Sequence, residues 1–163
     1  MRYVAACEQL ESAGVAQYEI SNFAGTGFES HHNLKYWTRQ PYLGFGVDAH
    51  SMLKSSAPEA DAVRIATVDA LEKYVAGTPL QRTPVSPADA LEESFFLGLR
   101  LNRGVNLREI AASFCQRAVD SLRPATEELI ADGLLQRDHD SILLTPRGRL
   151  LSNEVFQAFL APS

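Results

Sequence analysis

The chain has 163 residues, enough for one ordinary domain or two small ones. Its composition, 45% hydrophobic and 21% charged, is that of a folded globular protein and excludes a largely disordered one. The formal net charge of -5 argues against a nucleic-acid partner, because a phosphate-binding face is normally rich in lysine and arginine.

The chain begins with a predicted helix followed by a strand. Apolar residues recur at helical spacing from Val4 to Val15, and Gly14 is a typical helix stop. Residues 15–20 then alternate as in a strand, and this strand ends in a loop that begins at Ser21. This αβ step is the repeating unit of a parallel sheet or barrel.

The residues up to Pro87 are predicted to hold further strands and then a linker or surface segment. Strands are expected within 42–53 and at 63–67, and a short helix over 69–74. Between Gly77 and Pro87 the chain is rich in proline and polar residues, which is typical of a linker or of a segment that crosses the protein surface. We therefore expect a domain boundary near Thr83.

The second half is predicted to be a small helical domain with a β-hairpin. Helices are expected at 90–101, 107–114, 125–131 and 146–159. Strands at 134–136 and 142–144, joined by a polar turn, form the hairpin. Helices followed by a two-stranded wing are typical of a winged-helix domain. The expected fold class is therefore α/β, or α+β overall, in two parts, 1–82 and 83–163.

The segment 29–37 has an unusual composition, with two histidines, an amide and two aromatic residues beside a glycine-containing loop. A neutral His32 imidazole could bind haem iron, and the rings of Tyr36 and Trp37 could lie against a macrocycle. Alternatively, the aromatic side chains close the end of a sheet and the histidines hydrogen-bond backbone carbonyls. The residues alone leave both interpretations open.

Two further features have a structural and a functional interpretation. Gly44 and Gly46 lack the third glycine of a dinucleotide motif, and they indicate a close approach of backbone to another chain segment or to a ligand. Glu19 lies near the end of a predicted strand in an apolar context. Such a carboxylate either faces a site or forms a structural salt bridge.

Three ordered motifs and a matching C-terminal half resemble one family. The motifs are Y-E-I-S-N-F-A at 18–24, H-N-L-K-Y-W at 32–37, and Y-L-G-F-G at 42–46 followed by A-H-S at 49–51. The C-terminal match comprises E-S-F-F-L-G-L-R at 93–100, G-L-L at 133–135 and L-T-P-R-G-R-L-L-S-N-E at 144–154. Together they closely resemble the oxygen-independent coproporphyrinogen III oxidase-like family of radical SAM proteins. The H-N-x-x-Y-W form is similar to the haem chaperone branch, HemW.

The resemblance implies a fold and a set of site residues. Residues 1–82 would be the C-terminal piece of a partial (β/α) radical-SAM barrel, and 83–163 the winged-helix-like C-terminal domain of that family. His32 would be the haem contact and candidate iron ligand, surrounded by Asn33, Tyr36 and Trp37. The residues expected to line the S-adenosylmethionine side of the barrel are Glu19, Ser21, Gly44, Gly46 and His50. Asp48 departs from the small residue expected after G-x-G, which leaves the local backbone contact open.

The resemblance fails at the iron–sulfur cluster. Family members hold a 4Fe–4S cluster on a C-x-x-x-C-x-x-C loop, whereas Cys7 and Cys115 have no cysteine partner at such spacing. The chain therefore looks truncated at its start, and we expect it to be inactive in radical chemistry by itself. The expected partners are haem or a porphyrin, and either an N-terminal radical SAM part or a haem-accepting protein.

Two other functions fit the predicted elements: a winged-helix nucleic-acid-binding module, and a plain protein-interaction domain that docks on a partner. Against the first, the helix that would enter a groove carries Glu127, Glu128 and Asp132 beside a single Arg123. No export signal follows Met1, and no apolar run approaches the roughly 20 residues of a membrane span. A cytoplasmic location without a membrane span is expected.

Overall fold

The computed structural model describes residues 2–160, apart from the side chain of Arg2. The helices are α1 (Arg2–Ser12), α2 (His31–Trp37), α3 (Leu71–Val75), α4 (Pro87–Leu99), α5 (Leu107–Phe114), α6 (Gln116–Ala131), α7 (Pro146–Leu150) and α8 (Ser152–Gln157). The strands are β1 (Ala16–Glu19), β2 (Asn22–Ala24), β3 (His50–Lys54), β4 (Ala62–Ala66), β5 (Gln81–Val85), β6 (Val105–Asn106), β7 (Leu135–Asp138) and β8 (Ser141–Leu144). This mixture of helices and strands confirms the expected fold class.

The strands form small sheets in the orders β1-β2, β3-β4-β5 and β6-β8-β7. Within residues 2–160, every pair in these sheets is antiparallel. The predicted αβ step led us to expect a parallel neighbour for β1. Instead the chain turns at Ile20 and Ser21 and returns as β2, and antiparallel pairing needs only such a tight turn.

Contacts divide the chain into two compact units. The described residues up to Thr38 belong with those from Glu92 onward, and residues Arg39–Leu91 form the other unit. Of the two alternatives for residues 77–87, a linker or a surface segment, the structure matches the second, because the segment contains the mostly exposed strand β5, in which Thr83 lies opposite Arg64 of β4. Pro84 is tolerated there since β5 is an edge strand. The division between 1–82 and 83–163, which falls inside β5, stays a prediction.

The core of the unit that contains most of α4 is built on that helix. Phe95 and Leu99 lie one turn apart on one face and are fully buried. The ring of Phe95 packs against Phe159, with 5.3 Å between ring centroids. Burial of each such side chain stabilises the fold by about 1.5–3 kcal/mol. Phe96, next to Phe95, is half-buried, with 6.4 Å between the centroids of its ring and that of Phe156.

Most of the C-terminal elements agree with the sequence analysis, but the helix predicted at 146–159 is divided into α7 and α8. Helix α5 has the predicted bounds, and its N-cap Asn106 accepts hydrogen bonds from two backbone amides of the first turn. The predicted hairpin is present as β7 and β8. Helix α6 is longer than predicted because it continues through Pro124. The winged-helix assignment stays a prediction. No helix of residues 2–160 is long and apolar enough to cross a bilayer.

Candidate functional site

The histidine-rich segment forms a short helix, α2, which the sequence analysis did not predict. Ser30 is its N-cap, and the Ser30 hydroxyl accepts a hydrogen bond from the backbone amide of Asn33 at 3.3 Å. His32 and Tyr36 lie one turn apart, with ring centroids separated by 5.0 Å in an edge-on arrangement. His31 and His32 are exposed, whereas Tyr36 is half-buried. Helix α2 therefore presents an imidazole to solvent with an aromatic ring beside it.

Trp37, at the end of α2, has a different environment. The guanidinium carbon of Arg100 lies 4.2 Å from the centre of the indole ring, which is a cation–π contact. The indole nitrogen of Trp37 is buried and has no hydrogen-bond partner among the described residues. Of the two aromatic residues predicted to surround a ligand, Tyr36 is thus the one that contacts His32, while Trp37 contacts Arg100.

Glu19 is the buried centre of this region. Its side chain has no exposed surface, and one carboxylate oxygen accepts hydrogen bonds from the backbone amide of Ser21, at 2.9 Å, and from the side chain of Asn22. The other oxygen pairs with Arg100 at 3.3 Å. Both oxygens are therefore engaged inside the protein. Of the two alternatives left open for Glu19, this geometry matches the structural salt bridge.

The edge of β1 that is not paired with β2 contacts the segment after α4. The backbone amide of Ile20 donates to the carbonyl of Arg100 at 3.1 Å. Arg149, on α7, donates to the side chain of Gln17 at 3.2 Å and to that of Asn102. The Y-E-I-S-N and H-N-x-x-Y-W motifs therefore meet two of the three C-terminal segments, those at 93–100 and 144–154, near β1.

Gly44, Gly46 and His50 belong to the unit of residues 39–91. A β-carbon on Gly44 would lie 2.3 Å from the carbonyl oxygen of His50, so the close approach predicted at this glycine is to another segment of the chain. Gly46 has φ +105°, and nothing lies within 4 Å of its missing β-carbon. Asp48 has φ 55°, a conformation that aspartate tolerates, and its carboxylate lies 3.7 Å from the exposed imidazole of His50.

Sequence reasoning missed Arg100, Asn102 and Arg149. A buried carboxylate such as Glu19 requires a cationic or hydrogen-bonding partner, which was the available signal. Arg100 also ends the E-S-F-F-L-G-L-R motif. However, 81 residues separate it from Glu19, and no local pattern indicates which of the chain's arginines makes the contact.

The residues of this chain do not fit an iron–sulfur cluster. The sequence has two cysteines, and both are free thiols, Cys7 half-buried and Cys115 exposed. Such clusters need at least three thiolate or equivalent ligands. Among residues 2–160, no three side chains of His, Cys, Asp or Glu come together in a group able to hold a metal ion.

Comparison with known proteins gives the family. The HemN C-terminal domain matches residues 85–151. The haem chaperone HemW of Bacillus subtilis is 37% identical over 165 residues, which cover 97% of this chain and 41% of that protein. HemW of Escherichia coli is 32% identical over 155 residues, covering 93% and 40%. The chain is HemN/HemW-like. It corresponds to the C-terminal part of that family and spans about two fifths of the length of these relatives.

A solved structure has the same fold as this HemN/HemW-like chain. Coproporphyrinogen III oxidase (HemN) from Escherichia coli, described as a radical SAM enzyme, matches with a TM-score of 0.70. The match covers 96% of this chain and 39% of the enzyme at 18% identity, so it concerns the fold alone. The resemblance inferred from the ordered motifs is thus confirmed.

Proposed function

We propose that this HemN/HemW-like chain is the haem-binding C-terminal part of a radical SAM haem chaperone, and that α2 binds haem. The observation that carries the proposal is the pairing of His32 and Tyr36 on one face of α2, with the imidazole exposed. The names of the HemW relatives, which describe haem chaperones, support it. Haem is cargo in this account, not a catalytic cofactor of the chain.

Four residues of α2 have distinct parts in the proposal. The His32 imidazole supplies a nitrogen ligand to the haem iron. Tyr36 packs edge-on against that imidazole and offers apolar surface to the macrocycle. The backbone amide of Asn33 donates to the N-cap hydroxyl of Ser30, which holds the first turn of α2. Trp37 contributes indirectly, because its ring is covered by Arg100.

S-adenosylmethionine and the 4Fe–4S cluster belong, in this proposal, to a radical SAM region outside this chain. That region is either an N-terminal part of the same protein or a separate partner, and a haem-accepting protein is the further partner. Of the residues assigned to the S-adenosylmethionine side, Ser21, Gly46 and His50 keep that assignment as a proposal. The assignment has less support for Glu19 and Gly44, since contacts within the protein already explain why these two residues stand at their positions. The cytoplasmic location and the winged-helix character of residues 83–163 are parts of the same proposal.

The test is a haem titration of the parent chain, His32→Ala and His31→Ala, followed by Soret absorbance. His31 is the matched control, because it is also an exposed histidine on the same helix. We expect His32→Ala to weaken binding by at least about tenfold, equivalent to 1.4 kcal/mol, and His31→Ala to leave it nearly unchanged. Equal losses from both variants would indicate nonspecific ligation, and an unchanged His32→Ala spectrum would exclude His32.

A further inference from the structure

Helix α2 is short and buries none of its own side chains. It has seven residues, and none of them is buried. A helix of this length is unstable in isolation, so tertiary contacts must determine its position. Among the described residues, Trp37 supplies a specific contact at the C-terminal end of α2, because the guanidinium carbon of Arg100 lies over its indole ring.

The contact between Trp37 and Arg100 depends on stacking. The indole nitrogen is buried without a hydrogen-bond partner among residues 2–160, so no hydrogen bond of that group orients the ring. A guanidinium is planar and lies flat on an aromatic face, which orients the ring as well as attracting it. A lysine ammonium is a compact charge without such a plane.

Arg100 is itself fixed from two directions. Its guanidinium pairs with the buried carboxylate of Glu19 at 3.3 Å, and its carbonyl accepts the backbone amide of Ile20 at 3.1 Å. Glu19 is in turn fixed by the turn residues Ser21 and Asn22. A continuous set of contacts thus runs from the β1-β2 turn through Glu19 and Arg100 to Trp37.

We infer that Arg100 is a positioning residue for the ligand-binding helix, and that Glu19 holds it in place. Arg100 sets the orientation of α2 through Trp37, and so determines how His32 is presented. The part of the inference that concerns haem rests on the proposed function of α2. The part that concerns the helix itself does not, because Trp37 is the only tryptophan of the chain and reports its own surroundings by fluorescence.

The test compares Arg100→Ala, Arg100→Lys and a control, Arg123→Ala. Arg123 forms an exposed ion pair with Asp120 on α6 and has no contact with Trp37 among those described. In the ligand-free protein, we expect Arg100→Ala to shift Trp37 emission to the red and to increase its quenching by acrylamide. Haem affinity should fall by about tenfold or less, as expected for loss of one cation–π contact. Arg123→Ala should change neither signal.

Arg100→Lys separates positioning from general stability. It keeps a positive charge near Glu19, so we expect a melting temperature closer to the parent than that of Arg100→Ala. It lacks the plane that stacks on the indole, so Trp37 emission and haem affinity should shift nearly as far as in Arg100→Ala. Parent-like emission in both variants would overturn the inference, whether or not the chain binds haem. The part of the inference that concerns haem has a separate test, which applies if His32→Ala shows that haem affinity depends on His32. If the Arg100 variants then shift Trp37 emission but leave haem affinity unchanged, that part is overturned.

Discussion

At the scale of single residues, Gly44 lies so close to the backbone of His50 that a β-carbon added to Gly44 would be 2.3 Å from the His50 carbonyl oxygen. Its amide also donates to the hydroxyl of Ser51 at 3.0 Å. Movement of the backbone at Gly44 or at His50 would disturb strand β3, which contains His50 and Ser51. We therefore expect Gly44→Ala to destabilise the protein by about 1–3 kcal/mol, the usual cost of overpacking.

Urea unfolding, together with amide hydrogen exchange of β3, measures the effect of Gly44→Ala. The matched control is Gly25→Ala, because a β-carbon on Gly25 would meet its nearest neighbour at 3.8 Å, an ordinary contact. The control should stay within about 0.5 kcal/mol of the parent. If both variants were equally stable, the close approach would not explain this glycine, and approach of a ligand would become the better account.

Residues whose role follows from local spacing could be predicted from the sequence. Phe95 is one, since its place on the apolar face of α4 marks it as core. Glu19 could be recognised as unusual, but its two possible roles could not be separated. The partner that decides between them, Arg100, comes close only when distant segments fold together.

At the scale of secondary-structure elements, α2 depends on its N-cap, because none of its residues is buried. Ser30→Ala removes the hydroxyl that accepts the amide of Asn33, at a cost of about 1 kcal/mol. If haem binds to the folded helix, this cost should weaken haem affinity by roughly fivefold. Ser30→Asp should bind as the parent does, since aspartate is also a good N-cap.

Soret titration of these Ser30 variants gives the measurement, with Ser113→Ala, an exposed position near the end of α5, as the control. Unchanged affinity in Ser30→Ala would mean that the cap does not contribute to binding. A loss of affinity in Ser113→Ala of the same size would mean that the effect is not specific to α2.

Elements with strong local signals were predicted well, and short or irregular ones were not. Helix α5 matches its prediction because Asn106 starts it and apolar residues recur along it. Helix α2 was missed since a short polar segment with two histidines has no clear helical periodicity. Strand β5 was missed because proline is common in linkers. The helix predicted at 125–131 was shorter than α6 because Pro124 is typical of a helix start.

At the scale of the whole molecule, two cysteines cannot supply the thiolates of a 4Fe–4S cluster. We expect anaerobic reconstitution of the chain with iron and sulfide to leave it without a stoichiometric cluster. Incubation with S-adenosylmethionine and a strong reductant should then yield no 5′-deoxyadenosine. Brown protein with stoichiometric iron and sulfide would refute this expectation.

The family and the mixed fold could be inferred from the order of the motifs, since several spaced motifs are far more specific than one. The grouping of the first residues with the C-terminal half could not. It depends on contacts such as that between Gln17 and Arg149, which are 132 residues apart. Contacts at such separation are set by the folded chain and leave no periodic pattern in the sequence.

Binding of haem to α2 through His32 is tested most directly by a site-resolved titration. Paramagnetic iron(III) protoporphyrin is added to the uniformly ¹⁵N-labelled chain, and the broadening of each backbone amide signal is followed by NMR. We predict that broadening begins at residues 31–37 and is lost from them in His32→Ala. Broadening centred on another exposed histidine, such as His139 in the β7–β8 turn, or equal broadening in His32→Ala, would contradict the claim.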